Sequence, residues 1–150
     1  MRSIVFCLGF VAAVACSDDP SDDCTKDHAC TCNAPGDCSF SCVGPECDFS
    51  CHGASTCNFD CPAGGCTFHC DTNASCNATC AGGNCTMEAT GAKEALVSCS
   101  GNGCKSRCDR TTTCKQTACT ENCSVTCTGS AVTCETSCDP TKNCVRSIQQ

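Results

Sequence analysis

A 19-residue cysteine period governs what this chain can fold into. Cys38, Cys57 and Cys76 are 19 residues apart, as are Cys42, Cys61, Cys80 and Cys99, and again Cys47, Cys66, Cys85, Cys104 and Cys123. Each period holds two five-residue words: CSFSC and CDFSC, then CNFDC and CTFHC, then CNATC and CTMEA. Turns of four residues (VGPE, PAGG, AGGN, SGNG) alternate with turns of five (HGAST, DTNAS, TGAKE, DRTTT). Their Gly, Pro, Asn and Asp accept the backbone angles of tight turns. A unit this short cannot bury its own apolar face, so it must stack on its neighbours.

Within a word, residues alternate with the strand period. Cys38, Phe40 and Cys42 share one face, as do Cys47, Phe49 and Cys51, while Ser39, Ser41, Asp48, Ser50, Asn58, Asp60, Thr67 and His69 point the other way. The expected fold is all-β: a small, disulfide-stapled β-solenoid of two sheets, about five 19-residue coils between Cys38 and Cys138. At ~4.8 Å per coil the stack is roughly 25 Å tall. A Cys-rich antiparallel meander uses the same turns but leaves one sulfur-rich face uncovered.

The chain has 26 cysteines in 150 residues, with no Trp or Tyr and only six Phe. A Cys fraction above roughly 8–10% marks a disulfide scaffold. Residues four apart in a strand are ~13 Å apart, beyond the ~7 Å reach of a disulfide, so the two cysteines of one word cannot pair. Those flanking a turn can. Short turns then join Cys42 to Cys47, Cys61 to Cys66, Cys80 to Cys85 and Cys99 to Cys104. Long turns join Cys51 to Cys57, Cys70 to Cys76, Cys108 to Cys114 and Cys127 to Cys134. The same logic pairs Cys24 with Cys30, Cys32 with Cys38, Cys138 with Cys144 and, with a shifted register, Cys119 with Cys123. Where the period demands a further pair, the chain has Ala89 and Ala95, so both halves of one bridge are missing together. Bridges between stacked coils are the alternative connectivity.

Each such short loop contributes roughly 2–2.5 kcal/mol on the chain-entropy model. The core needs that help increasingly toward the C-terminus. Central inward positions run Phe40, Phe49, Phe59, Phe68, then Ala78, Met87, Val97, Ser106, Gln116, Val125 and Thr136.

The N-terminus carries an address. MRSIVFCLGFVAAVAC has one Arg, an apolar run from Ile4 to Ala15 and small residues before a cysteine, the pattern of a secretory signal over residues 1–15. Ala13-Val14-Ala15-Cys16 resembles the lipobox of bacterial lipoproteins, which implies cleavage before Cys16 and attachment of lipid to its sulfur. Ala13 stands where that motif usually has Leu, and the same tripeptide suits an ordinary signal peptidase, which would leave a soluble secreted protein. Parity favours the lipoprotein. Loss of Cys7 with the signal and acylation of Cys16 leave 24 cysteines, an even number. Residues 16–23 form an acidic tether, rich in Asp and poor in apolar residues. Ser17 after the cysteine is compatible, in lipoproteins this resembles, with export to the outer membrane. Residues 24–37 are expected to cap the 38–144 repeat domain, with 145–150 as a tail.

Several function classes have little support. A net charge of −7 argues against a nucleic-acid surface. Metal-thiolate clusters favour C-x-C and C-x2-C spacings, yet Cys30-Thr31-Cys32 is the single C-x-C and C-x2-C is absent. A redox enzyme would want C-x-x-C. His28, His52 and His69 are scattered, and no G-x-S-x-G or H-E-x-x-H occurs. No catalytic residue, metal site or cofactor is expected.

Two surface patterns remain. Ser41, Asp60, Thr79, Ser98, Thr117 and Ser137 form an outward file, beside a row of Ser39, Asn58, Asn77, Leu96, Lys115 and Glu135. Such a fold resembles the disulfide-stapled β-solenoid antifreeze proteins of beetles, whose flat Thr-x-Thr face binds ice, although Asp60 breaks the file here. On the other sheet Glu88 and Arg107 stack, with Lys105 and Arg110 nearby, a patch suited to an anionic partner. The resulting expectation is a lipid-anchored cell-surface scaffold, structural or interacting with a protein or polysaccharide. A soluble secreted binder of ice or polysaccharide is the alternative, and a metal-thiolate protein a weaker one.

Overall fold

The computed structural model describes residues 23–33, 35–53, 55–129 and 133–149. The expected signal, Cys16 and the tether up to residue 22 lie outside them. Among these residues fourteen strands form two seven-stranded parallel sheets. One sheet contains β1 (Asp23–Cys24), β3 (Asp37–Cys42), β5 (Thr56–Cys61), β7 (Ser75–Cys80), β9 (Glu94–Cys99), β11 (Thr113–Thr117) and β13 (Thr133–Thr136), in that order. The other contains β2 (Cys30–Cys32), β4 (Asp48–Cys51), β6 (Thr67–Asp71), β8 (Thr86–Thr90), β10 (Lys105–Asp109), β12 (Ser124–Thr128) and β14 (Val145–Gln149). Consecutive strands therefore alternate between sheets, and each pair is one coil of a β-solenoid.

The sequence period becomes the ladder register. Cys57 pairs with Cys38 and Cys76, Phe59 with Phe40, and Thr86 with Thr67 and Lys105. Every strand pairing is parallel, which rules out the meander. Among the described residues the single antiparallel bridge is local, between Thr25 and His28.

The inward alternation builds the core. Phe40 stacks on Phe59 at 6.3 Å, and Phe49 packs on Phe59 and Phe68 at 5.1 and 5.5 Å. Above these rings the filling shrinks to Ala78, Met87, Val97 and Val125, all buried, with sulfur on either side. Ser106 and Gln116 are buried there too, and neither side chain has a hydrogen-bond partner.

Turns stack as regularly as strands. Glu46, Gly65, Asn84, Gly103 and Asn122 each precede a cysteine and adopt left-handed φ between 56° and 76°. Each donates its N–H to a carbonyl of the next coil, as in Gly65 to Gly83 at 2.9 Å and Asn84 to Asn102 at 2.7 Å. The approach is close: a Cβ on Gly82 would run into the Ala63 carbonyl of the coil below. Gly is the residue such contact admits.

The solenoid is longer than the cysteine repeat. Asp23 and the cap segment supply β1 and β2, and Val145–Gln149 is not a tail but the last strand, in register with β12. Val145 donates its N–H to the Cys123 carbonyl at 2.9 Å, and Ile148 extends the column of Cys108 and Cys127. An open sheet edge recruits the next extended segment whether or not it carries sulfur. Six coil steps of ~4.8 Å give a stack roughly 29 Å tall.

Candidate functional site

The 24 cysteines from Cys24 onward are joined in twelve disulfides, each closing one turn. On the side of the stack that carries the short turns the bridges are Cys24–Cys30, Cys42–Cys47, Cys61–Cys66, Cys80–Cys85, Cys99–Cys104, Cys119–Cys123 and Cys138–Cys144, of which Cys24–Cys30 and Cys138–Cys144 enclose five residues. Long-turn bridges are Cys32–Cys38, Cys51–Cys57, Cys70–Cys76, Cys108–Cys114 and Cys127–Cys134. Cα atoms of the bridged pairs lie 5.8–6.4 Å apart, inside the usual range. Among the described residues no bridge joins stacked strands of the same sheet.

Stacking brings separate bridges together. The Sγ atoms of Cys42, Cys61 and Cys66 lie within 4.8 Å of one another, as do those of Cys80, Cys99 and Cys104, of Cys99, Cys119 and Cys123, of Cys119, Cys138 and Cys144, and of Cys32, Cys38 and Cys57. A metal takes the thiolate form of cysteine. These sulfurs are oxidised and most are buried, so the trios are columns of disulfides rather than ligand sets.

The two outer faces carry the remaining chemistry. On the odd-numbered sheet the hydroxyl file lies in register: Ser41 beside Asp60, Asp60 beside Thr79, Thr79 beside Ser98 and Ser98 beside Thr117. The Ser137 hydroxyl accepts the Ala118 N–H at 3.1 Å. In the neighbouring row Asn77 donates to Asn58 at 3.2 Å, and Lys115 pairs with Glu135 at 3.1 Å. Between the rows is a concavity of about 550 Å³, with Leu96, Ser98, Thr79, Thr117 and Glu94 among its lining residues. It forms where small hydroxyl side chains run beside Leu96 and the Lys115–Glu135 pair. Alternation alone places Leu96 on the surface, but a depression spanning several coils depends on relative side-chain lengths, which the period does not report.

The even-numbered sheet is differently charged. His69 sits between carboxylates, Nε2 3.4 Å from Asp48 and Nδ1 3.5 Å from Glu88, and His52 lies 3.4 Å from Asp71. Glu88 is in register with Arg107, as the period requires, yet the ring its carboxylate approaches is that of His69. Arg110 contacts Asp109 at 3.0 Å. Among the described residues Lys105 and Arg107 have no ion pair and are exposed. A smaller concavity of about 290 Å³ beside Arg107 is also lined by Glu88 and Asp109, so it offers no purely cationic site. His28 stands apart at the N-terminal end, bonded to Thr25.

Lys26 and Glu46 form an ion pair across the first coils, which raises the Lys26 pKa and lowers that of Glu46 through their hydrogen bond. Asp139 caps the 3₁₀ turn Pro140–Lys142. It accepts the Thr141 N–H at 2.9 Å and the Thr141 hydroxyl at 2.8 Å, and these bonds hold its carboxyl below the ordinary value.

No family model matches the chain, and comparison with curated proteins and with solved structures finds no significant match.

Proposed function

We propose that the chain is a cell-surface lipoprotein: a rigid disulfide-stapled solenoid carried on an acidic tether, with lipid on Cys16 holding it to the outer membrane and its flat faces presented to a protein or polysaccharide. Sulfur bookkeeping carries this reading. The 24 cysteines from Cys24 to Cys144 pair entirely among themselves, so none of them is left to bond Cys16. A lone thiol in an oxidising compartment invites intermolecular pairing, whereas acylation consumes it. Twelve disulfides are at home in the same compartment.

Intact mass of the protein from a membrane fraction tests the proposal. A mature chain beginning at Cys16 with a diacylglycerol increment is expected. A mass without lipid, from culture supernatant, would overturn the anchor and make the chain a secreted binder. Substitution of Cys16 by Ser should release the protein from membranes with all twelve bridges intact.

A further inference from the structure

We propose that the concavity on the odd-numbered sheet is a binding track for an extended, uncharged polysaccharide chain. This names the ligand of the surface-interaction reading and rests on it for where that ligand is met.

The shape comes first. Ligand sites are concave, with apolar lining and a few placed polar groups, and about 550 Å³ of such space lies across the β7 to β13 face. The second observation is periodicity. Thr79, Ser98 and Thr117 present one hydroxyl per coil in a single file, at the ~4.8 Å interval of neighbouring strands. That interval is close to the length of one pyranose unit in an extended chain, so successive sugars meet successive coils, with alternate rings turned over in a β-1,4-linked chain. Thr117 donates to the Val97 carbonyl at 3.4 Å and keeps its lone pairs for a ligand. The Thr79 and Ser98 hydroxyls have no protein partner among the described residues.

The lining chemistry selects within that class. Leu96 supplies an apolar patch for the C–H face of a sugar ring. Glu94, with no ion pair among the described residues, supplies carboxylate acceptors for sugar hydroxyls. Lys115 is already matched by Glu135 at 3.1 Å, so no free cation faces the track. A polyanion would therefore meet Glu94 without compensation, while a neutral hydroxylated chain satisfies each group in turn.

The full chain, purified in detergent from cells that make it, is titrated with cellohexaose and chitohexaose and followed by calorimetry. Saturable binding of at least one is expected. Ser98→Tyr, which fills the floor of the track, and Leu96→Ser should each weaken it by about tenfold or more. Thr67→Tyr, on the opposite sheet, should leave it unchanged. Should Ser98→Tyr fail to form its disulfides, Thr79→Tyr and Leu96→Ser decide the matter. Absence of binding to both sugars, or binding that survives the groove variants, overturns the proposal. So does hexalysine binding in their place, which would assign the groove to a basic protein segment. Intact mass of the same preparation reports the lipid on Cys16 independently, so failure of the track and failure of the anchor are distinguishable.

Discussion

Ala89 and Ala95 occupy, on successive strands of one coil, the two positions where the coils on either side join their long turn by a disulfide. Ala89 is in register with Cys70 and Cys108, and Ala95 with Cys76 and Cys114. Both alanines are buried, as is Ala92 in the turn between them. The short-turn column runs unbroken through the stack, while the long-turn column is interrupted here.

Restoring the missing bridge should therefore be structurally neutral and thermodynamically favourable. Ala89→Cys with Ala95→Cys is expected to form a thirteenth disulfide and to stabilise the fold by about 2 kcal/mol. Thiol counting and a denaturation midpoint under oxidising conditions check it. Two persistent free thiols would mean that this turn cannot adopt the geometry of its neighbours.

Disulfide contacts between coils predict how reduction spreads. A thiolate freed at Cys119 or Cys99 has the sulfurs of the adjacent bridge within 4.8 Å. It can attack one of them, forming a bond between coils and releasing a new thiolate. Limited reduction at neutral pH should yield inter-coil pairs on the short-turn side, such as Cys99 with Cys119, that do not form when the reduction is run with a phosphine at acid pH, where the thiolate is absent. On the long-turn side none should bridge from Cys70–Cys76 to Cys108–Cys114, since these lie two coils, ~9.6 Å, apart. Peptide mapping of alkylated material distinguishes the outcomes.

Gln116 is fully buried with neither its amide oxygen nor its nitrogen satisfied. An unpartnered buried polar group costs roughly 1–3 kcal/mol. Gln116→Leu should accordingly raise stability by about 1–2 kcal/mol, read as a shift in the denaturant midpoint with bridges intact. Loss of stability would mean that the amide is satisfied by trapped water. With Ser106 also unpartnered nearby in sequence, the C-terminal coils lean hardest on their sulfur. Limited reduction followed by proteolysis should release C-terminal fragments before N-terminal ones.

Asp139 supplies a pH dependence of known sign. Its hydrogen bonds with Thr141 depress its pKa below the ordinary 3.8, so the cap is fully formed above that value and is lost as pH falls through the lowered one. Amide protection factors at Thr141 and Lys142, taken relative to intrinsic exchange at each pH, should fall in that acid range. In Asp139→Asn the acid-dependent step should vanish. Retention of the step in the variant would place its origin elsewhere.

Most of the fold was legible because geometry and spacing agree. Nineteen residues are two strands and two turns, and within its own coil a cysteine beside a turn can reach only its partner across that turn. Parallel register was legible less directly: Phe40, Phe59 and Phe49 could also have been arranged by a meander, and only the ladder decides. The ends were harder. VRSIQ, residues 145–149, has no cysteine and no repeat word, so the spacing argument is silent where a backbone edge does the recruiting. Of the surface, the rows through Ser41 and Ser39 followed from alternation. The hollow beside Leu96 did not, because it comes from the contrast between Ser98 or Thr79 and the longer Lys115–Glu135 pair. His69 choosing Glu88 was equally invisible, since a row gives neighbours but not side-chain directions.

Because every bridge among the described residues closes within its own turn, the solenoid's length is free to change in inheritance. Deletion or duplication of 19 residues within the regular part removes or adds whole staples and orphans no thiol. A fold knotted by long-range bridges would lose that liberty, since each change in length would strand a partner. Genes for such chains can therefore drift in repeat number without passing through a misfolded ancestor.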